Sequence, residues 1–212
     1  IIFIPGGFSG ADEPDGSGKF ITAFFRNPEI SDAVTDLLEK RDGLMAGICN
    51  GFQALIKLGL VPYGKIIEPR ENTPTLTFNE IGRHQSKLAN LRVSSVKSPW
   101  MKYCRTGEIY SVPISHGEGR FIASEEEIRE LAKNGQILTQ YATPDGIVSN
   151  AIQDNPNGSL YAIEGITSPD GRVLGKMGHS ERIGDQIYDN LYKNVPGNHD
   201  MKMFQAAVEY FK

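Results

Sequence analysis

Gly47-Ile48-Cys49-Asn50-Gly51 places a thiol between two glycines, after an apolar run and before a segment rich in helix-forming residues. In a nucleophile elbow a buried strand turns sharply into a helix, and the positions two before and two after the apex have no room for a Cβ. The stretch therefore predicts a strand, then Cys49 as an apical nucleophile, then a helix over residues 52–58 that ends at Gly59. The helix N-terminus is expected to favour the thiolate.

A cysteine that only packs in the core is the simpler interpretation of Cys49. The two flanking glycines are more than packing requires, so they favour the nucleophile. Cys104 lies between Tyr103 and Arg105 without any glycine frame, and we interpret it as structural.

Composition limits the classes of function. The 212 residues suit one domain, and a formal charge of −4 gives no reason to expect nucleic acid or an anionic membrane as partner. The two cysteines form neither a disulfide framework nor a zinc motif, which favours a reducing, cytoplasmic location, and no apolar run is long enough to cross a bilayer. The sequence opens directly on a strand-like run at residues 1–5, so we expect a piece of a longer polypeptide.

Apolar runs that end in glycine alternate with helical patterns, which is typical of an α/β protein with a mostly parallel central sheet flanked by helices. Helices are predicted over residues 28–41 with Asn27 as cap, from a capping box at Ser124 to about residue 134, and after Asp200. The last helix should bury a stripe of Phe204, Ala207, Val208 and Phe211. Strands are predicted over residues 75–78, 91–96, 109–114, 137–142, 160–163 and 173–177, so the sheet should carry antiparallel additions.

Loops supply further candidates. Gly6 and Gly7 follow the first strand, and backbone N–H groups free of side chains suit an oxyanion hole, with the N–H of Asn50 as the second donor. The acidic loop at residues 11–19 carries three carboxylates, but such turns are usually solvated, and we predict no metal site.

Four histidines are available as the base that a cysteine nucleophile needs. His84 and His199 have only turn residues as neighbours, and we interpret both as surface or loop residues. His116 and His179 each follow a strand-like run and each has a glutamate two positions later, which in extended backbone projects to the same side. Spacing alone does not choose between them. The glycines around His116 suit a ligand-binding loop, whereas the stiffer setting of His179 favours it as the base.

Three further segments carry a resemblance to a known family. The elbow and its continuation to Gln53, the turn at residues 5–9, and Gly178-His179-Ser180-Glu181-Arg182 are similar to class I (triad) glutamine amidotransferase domains, which have a flavodoxin-like fold. More narrowly, the segments at residues 5–10, 116–121 and 155–159 resemble the glutaminase domain of phosphoribosylformylglycinamidine synthase of purine biosynthesis. The insertion at residues 11–19 and the tail at residues 192–198 resemble the large, single-chain form of that enzyme.

The resemblance implies that residues 1–212 are a glutaminase domain, the C-terminal part of a larger synthase, with the family's first strand and helix missing. Cys49 would attack the side-chain amide of glutamine, with His179 as base and acid, Glu181 orienting it, and the N–H groups of Gly7, or Gly6, and Asn50 holding the oxyanion. The residues that would hold the substrate are Gln53, Ser115, His116, Gly117 and Glu118.

Ammonia would pass to a synthetase domain that uses ATP, with its Mg²⁺, and formylglycinamide ribonucleotide, and this domain itself would need no cofactor. Two other interpretations remain: a stand-alone cysteine hydrolase or peptidase of the same fold, and a non-catalytic interface domain. The glutamate beside His179 and the loop at His116 favour an amino-acid substrate, and the intact Cys49, His179 and Glu181 speak against loss of catalysis.

Overall fold

The computed structural model describes residues 1–8, 16–184, 187–188 and 198–212. The carboxylates of the acidic loop at positions 12, 13 and 15, and most of the tail at residues 192–198, lie outside these ranges. The helices are α1 Lys19–Phe25, α2 Pro28–Glu39, α3 Asn50–Leu58, α4 Leu60–Tyr63, α5 Glu125–Lys133 and α6 Met203–Glu209. The strands are β1 Ile2–Ile4, β2 Met45–Ile48, β3 Thr75–Phe78, β4 Gln85–Val93, β5 Ile109–His116, β6 Glu118–Ile122, β7 Ile137–Tyr141, β8 Ile163–Thr167 and β9 Val173–Lys176.

Seven strands form the central sheet in the order β1-β2-β9-β8-β7-β4-β5, and β3 pairs with β6 in a separate antiparallel ribbon. The α/β class and the antiparallel additions are confirmed. The parallel pairings are those of β2 with β1 and with β9, whereas the strands from β9 to β5 pair antiparallel. The parallel part is therefore the part that leads into the Cys49 turn.

The parallel strands β2 and β9 are buried along their whole length, as near-continuous apolar runs predict. Helix α3 packs against β1, β2 and β9. On the other face of β1, Phe3 meets Phe204 of α6 edge to face, with the ring centroids 5.0 Å apart. The sheet is thus covered on both sides where β2 ends.

Two helix predictions are confirmed at their N-termini. Asn27 Oδ1 accepts the N–H of Glu29 at the start of α2, and Ser124 Oγ accepts the N–H of Glu127 at the start of α5. The Glu127 carboxylate accepts a hydrogen bond from Tyr63 Oη at 2.5 Å, so it ties α5 to α4.

Two predictions near the C-terminus are wrong in part. Residues 160–162 form a short 3-10 turn, and the strand begins only at Ile163. Helix α6 begins at Met203, after a left-handed Lys202 whose N–H is bound by the Asp200 carboxylate. Because the helix starts later, Met203, Ala206 and Ala207 are buried, whereas Val208 and Phe211 of the expected stripe are about half exposed.

No helix in the described part of the chain is long and apolar enough to span a membrane.

Candidate active site

Cys49 occupies a strained turn between β2 and α3, with φ 54° and ψ −108°. A Cβ added to Gly47 would lie 2.5 Å from the carbonyl carbon of Gly51, and one added to Gly51 would lie 2.1 Å from the carbonyl oxygen of Ile4. Neither position accepts a side chain. The strand, apex and helix of the nucleophile elbow are confirmed, and α3 ends at Gly59 in the predicted left-handed conformation.

Sheet order brings a histidine to this turn. Strands β2 and β9 are parallel neighbours, with Ile48 opposite Lys176, so residues that follow their carboxyl ends meet at one edge of the sheet. His179 follows β9 by three positions. A Cβ added to Gly6 would lie 2.5 Å from His179 Cε1 and 3.0 Å from Cys49 Cβ, so the two side chains lie against the same glycine.

The imidazole of His179 is held by Glu181, with Nδ1 and Oε1 2.5 Å apart. Burial raises the pKa of Glu181, but the hydrogen bond with His179, a backbone N–H and the charge of Lys176 outweigh burial and lower that pKa, so the group is a carboxylate at neutral pH. A carboxylate only accepts hydrogen bonds, so Nδ1 donates to Glu181 and Nε2 is the ring nitrogen that can take a proton. Nε2 is buried and finds no partner among the described residues.

Two backbone amides contact the Cys49 thiol. The N–H groups of Gly7 and Asn50 hydrogen-bond to the Cys49 thiol and favour its ionised form. These two amides are the ones predicted from the sequence as oxyanion donors, a role that stays a prediction, and Gly6 lies against both Cys49 and His179.

The amide of Asn50 at the helix N-terminus favours the thiolate, as predicted, but it does not decide the ionisation of Cys49 in the unliganded protein. Burial dominates and raises the pKa of Cys49 to about 11, and the negative charge of Glu181 acts in the same direction. The amides of Asn50 and Gly7 do not compensate. Cys49 is therefore a neutral thiol at pH 7, and a base must take its proton when substrate is present.

Alkylation should report this state. Because the thiolate is the reactive form and its pKa is raised, we expect the rate of Cys49 alkylation by iodoacetamide to rise about tenfold per pH unit from pH 7 to pH 10. Mass spectrometry of the Cys49 peptide measures the rate, and the Cys104 peptide provides a buried thiol for comparison. A rate that levels off near pH 7 would instead indicate a preformed thiolate.

His116 is held differently from His179. Its Nε2 lies 2.8 Å from Asn157 Oδ1, while the Asn157 amide nitrogen donates to Gly119 O and Tyr141 Oη. Nε2 therefore carries the proton, and the buried Nδ1 is a bare acceptor without a partner in the described ranges. Burial lowers the pKa of His116 to about 4 and outweighs the hydrogen bond with Asn157, which raises it, so the ring stays neutral.

Glu118, the glutamate two positions after His116, does not hold the His116 imidazole. The Glu118 carboxylate accepts the N–H of Ser17 at 3.2 Å, and Asn157, 41 positions after His116, takes the imidazole instead. Asn157 is missed by the spacing argument because the contact is remote in sequence. The signal that marks it is the Asn-Pro-Asn-Gly-Ser segment at residues 155–159, which carried part of the resemblance but no assigned role.

The remaining polar candidates lie as expected. His84 is exposed and contacts Ser115 Oγ at 3.1 Å, and His199 Nδ1 contacts the carbonyl oxygen of Ser111 at 2.7 Å. Buried Cys104 is bound to the carbonyl oxygen of Met201. None of these three residues lies in the cavity at Cys49.

The thiol opens into a small cavity of about 70 Å³. Gln53 is fixed at its wall by a 2.5 Å hydrogen bond from Nε2 to the carbonyl oxygen of Glu118. The sequence did not predict Phe8, Ser17 or Arg182 at this cavity, although Arg182 directly follows Glu181. The predicted site residues that line it are Gly7, Cys49, Gln53, Ser115, His116, Gly117, Glu118 and His179.

Larger surface cavities lie elsewhere. One of about 540 Å³ extends between Tyr63 and Glu127, and it contains neither Cys49 nor His179. The residues that line the cavity at Cys49, and not its volume, therefore identify it as the candidate active site. Within the residues that the structure describes, no group of three or more His, Cys, Asp or Glu side chains could hold a metal ion.

An α/β sheet, a cysteine at a strand-to-helix turn, a histidine with a glutamate behind it, and two amides facing the sulfur define a cysteine-nucleophile enzyme of the triad type. The family model for the CobB/CobQ-like glutamine amidotransferase domain matches residues 1–211. The chain belongs to this family of glutamine amidotransferases.

Curated relatives give a finer comparison. Phosphoribosylformylglycinamidine synthase subunit PurQ of Symbiobacterium thermophilum is 36% identical over 186 residues, which are 88% of this chain and 71% of that protein. The subunit PurQ of Aquifex aeolicus is 34% identical over 210 residues, covering 98% of this chain and 80% of the relative. Both are separate subunits, so the resemblance to the large single-chain form is not supported.

Among solved structures, that of PurLQS from Thermotoga maritima is similar over 100% of this chain and 80% of the matched chain, with a TM-score of 0.69 and 26% identity. The mixed sheet with flanking helices is thus the fold found in that structure.

Proposed function

We propose that the chain hydrolyses glutamine to glutamate and ammonia, and that the ammonia serves the synthesis of phosphoribosylformylglycinamidine. The observation that carries the proposal is the placement of Cys49 and His179 against Gly6, with Glu181 behind the histidine. The similarity to subunits of phosphoribosylformylglycinamidine synthase supports the choice of pathway.

In the first half of the reaction, Nε2 of His179 takes the thiol proton as the sulfur attacks the side-chain carbonyl carbon of glutamine. A C–S bond forms, and the carbonyl oxygen becomes an oxyanion that accepts hydrogen bonds from the N–H groups of Gly7 and Asn50. The imidazolium, stabilised by the Glu181 carboxylate, returns its proton to the amide nitrogen. The C–N bond breaks, ammonia leaves, and a γ-glutamyl thioester remains on Cys49.

In the second half, His179 takes a proton from water, whose oxygen attacks the thioester carbonyl. The same two amides hold the second oxyanion. The C–S bond breaks, the sulfur recovers its proton from the imidazolium, and glutamate is released. Each half uses the histidine once as base and once as acid, so the enzyme returns to its starting protonation state.

The rest of the cavity would hold the amino-acid part of glutamine. Neutral His116 offers a bare Nδ1 that accepts a hydrogen bond from a substrate N–H, and the Arg182 guanidinium suits the substrate carboxylate. Gln53 fixes the backbone of Glu118, and Ser115 and Gly117 complete the same wall.

The ammonia would reach a synthetase partner that forms phosphoribosylformylglycinamidine from formylglycinamide ribonucleotide and ATP. In this proposal ATP and Mg²⁺ bind the partner, residues 1–212 act as the glutaminase domain without a metal or cofactor, and no nucleic acid or membrane is needed. The similarity to the structure of PurLQS from Thermotoga maritima favours an assembly of this kind. A C-terminal position in a larger synthase and a cytoplasmic location stay predictions.

A chloroketone analogue of glutamine tests the substrate class and the nucleophile together. We expect mass spectrometry to find label on Cys49 and none on Cys104, with protection by glutamine. Labelling by peptide-like chloroketones alone would indicate a hydrolase or peptidase. The absence of label with every reagent, in a folded protein, would indicate a non-catalytic domain.

His116→Ala should weaken substrate binding while leaving the chemical step largely intact. Losing one hydrogen-bond acceptor for the substrate is expected to raise the KM for glutamine about tenfold and to change kcat by less than about threefold. Steady-state glutamine-dependent synthesis with the synthetase partner measures both constants, and His199→Ala provides a control outside the cavity. A loss of kcat as large as that of His179→Ala would contradict the assignment of His179 as the sole base.

A further inference from the structure

Behind the loop that carries His179 lies an ion pair without any access to solvent. The side chains of Lys176 and Glu164 are both 0% exposed, and Nζ and Oε1 are 3.3 Å apart. Removing two charges from water is costly unless both are paired and fully hydrogen-bonded. Packing alone therefore does not explain why this ion pair is buried.

Lys176 and Glu164 hydrogen-bond to residues 178–180, which we call the histidine loop because they contain His179. Lys176 Nζ donates to the carbonyl oxygen of Gly178 at 2.9 Å and to Ser180 Oγ at 3.0 Å. Glu164 Oε1 accepts the N–H of Gly178 at 2.5 Å, and its other carboxylate oxygen accepts a hydrogen bond from Thr139 Oγ1. Both backbone groups of Gly178, the residue before His179, are thus bound by the ion pair.

The two sides of this loop have different contacts. Gly178 and Ser180 are hydrogen-bonded by the ion pair, whereas His179 lines the cavity and Glu181 holds its imidazole. Gly178 has no space to move toward the pair, because a Cβ there would lie 2.5 Å from Val112 Cγ2 and 3.0 Å from Glu164 Oε1. The N–H of His179 is further bound by the carbonyl oxygen of Pro113 at 2.9 Å.

Lys176 also reaches the nucleophile. Its carbonyl oxygen accepts the N–H of Cys49 at 2.9 Å. One residue thus binds the Cys49 turn through its backbone and the His179 loop through its side chain. The charge of Lys176 also helps to lower the pKa of Glu181.

We propose that Lys176 and Glu164 are positioning residues that fix the histidine loop relative to the Cys49 thiol. They touch neither substrate nor reacting atoms and act through His179 and Glu181. The proposal rests on the proposed function in one respect, namely that His179 is the base for Cys49.

The test is the double variant Glu164→Gln with Lys176→Met. Both charges are removed together, so no unpaired buried charge remains, and glutamine at position 164 keeps an acceptor for the N–H of Gly178. The Lys176 donors to Gly178 and Ser180 are lost. The rate constant of inactivation and the binding constant of the glutamine chloroketone are measured on Cys49 by mass spectrometry.

We expect the inactivation rate constant to fall about 100-fold, since a small displacement of a catalytic group has an effect of this size, while the binding constant changes less than about threefold. Gln136→Leu is the matched control. Gln136 is also buried and donates to two backbone carbonyl oxygens, those of Pro62 and Thr167, at 2.8 Å, but it has no bond to the histidine loop. The control should lose thermal stability and keep both constants.

An unchanged inactivation rate constant in the folded double variant would overturn the proposal and leave the proposed function intact. So would an equal fall in the Gln136→Leu control, because general destabilisation would then explain the effect. Failure of the chloroketone to label Cys49 in the unaltered protein would remove the proposed function and this inference together.

Ser180→Ala decides the matter if the double variant does not fold. It removes one acceptor of Lys176 and leaves the ion pair in place. We expect the inactivation rate constant to fall about tenfold, which corresponds to one lost hydrogen bond in the loop. A rate constant equal to that of the unaltered protein would overturn the proposal.

Discussion

Replacing Cys49 by serine should abolish glutamine-dependent synthesis, with a fall in kcat of about 10⁴-fold or more. The substitution exchanges sulfur for oxygen at the apex of the turn and keeps the shape of the residue. A serine hydroxyl is far less acidic than a thiol, and the burial that already raises the pKa of Cys49 to about 11 makes an alkoxide still harder to form.

The same variant should keep ammonia-dependent synthesis at the rate of the unaltered complex, because free ammonia bypasses the glutaminase. Both activities are measured with the synthetase partner present, by following product formed from formylglycinamide ribonucleotide and ATP. Cys104→Ser is the matched control, since it changes the other buried thiol. Substantial glutamine-dependent activity in Cys49→Ser would remove Cys49 as nucleophile.

His179→Ala is the second large effect. Without Nε2 of His179 the thiol loses the base that we propose for it, and we expect kcat for glutamine to fall about 10³-fold with little change in KM. Ammonia-dependent synthesis should again persist. Steady-state rates as a function of glutamine concentration separate the two constants.

The comparison of His179→Ala with His116→Ala carries the assignment of the base. One variant should lose kcat and the other should raise KM. Equal losses of kcat in both would mean that the two imidazoles act together, and a loss confined to His116→Ala would reverse the assignment.

The nucleophile turn was predictable because its geometry is local. A side chain at Gly47 would clash with the backbone of Gly51, and one at Gly51 would clash with Ile4. The spacing of the two glycines around Cys49 therefore predicts the turn from the local sequence. The caps at Asn27 and Ser124 are likewise local hydrogen bonds, and the sequence predicts them for the same reason.

The base was harder to predict because its selection depends on strand order. His116 and His179 share the same glutamate spacing, and the difference arises from remote partners. Asn157 takes the ring of His116, and β9 lies beside β2, which brings His179 to the thiol. Neither contact leaves a trace in the local sequence.

The buried pair was missed, and the final helix was predicted only in part. Lys176 sits within a strand whose other residues are apolar, and its partner Glu164 lies on the neighbouring strand β8, so only the pairing of β8 with β9 joins the charges. At α6, the helix starts only after the left-handed Lys202; Phe204 of the predicted stripe packs against Phe3 and Trp100, whereas Val208 and Phe211 are about half exposed.

Strand β9, which is inserted between β2 and β8, also sets when catalysis becomes available during synthesis of the polypeptide. Cys49 is translated 130 positions before His179, the base that we propose for it, and His179 follows β9. On the proposed mechanism, a nascent chain therefore has no active site for glutamine hydrolysis until β9 has joined the sheet.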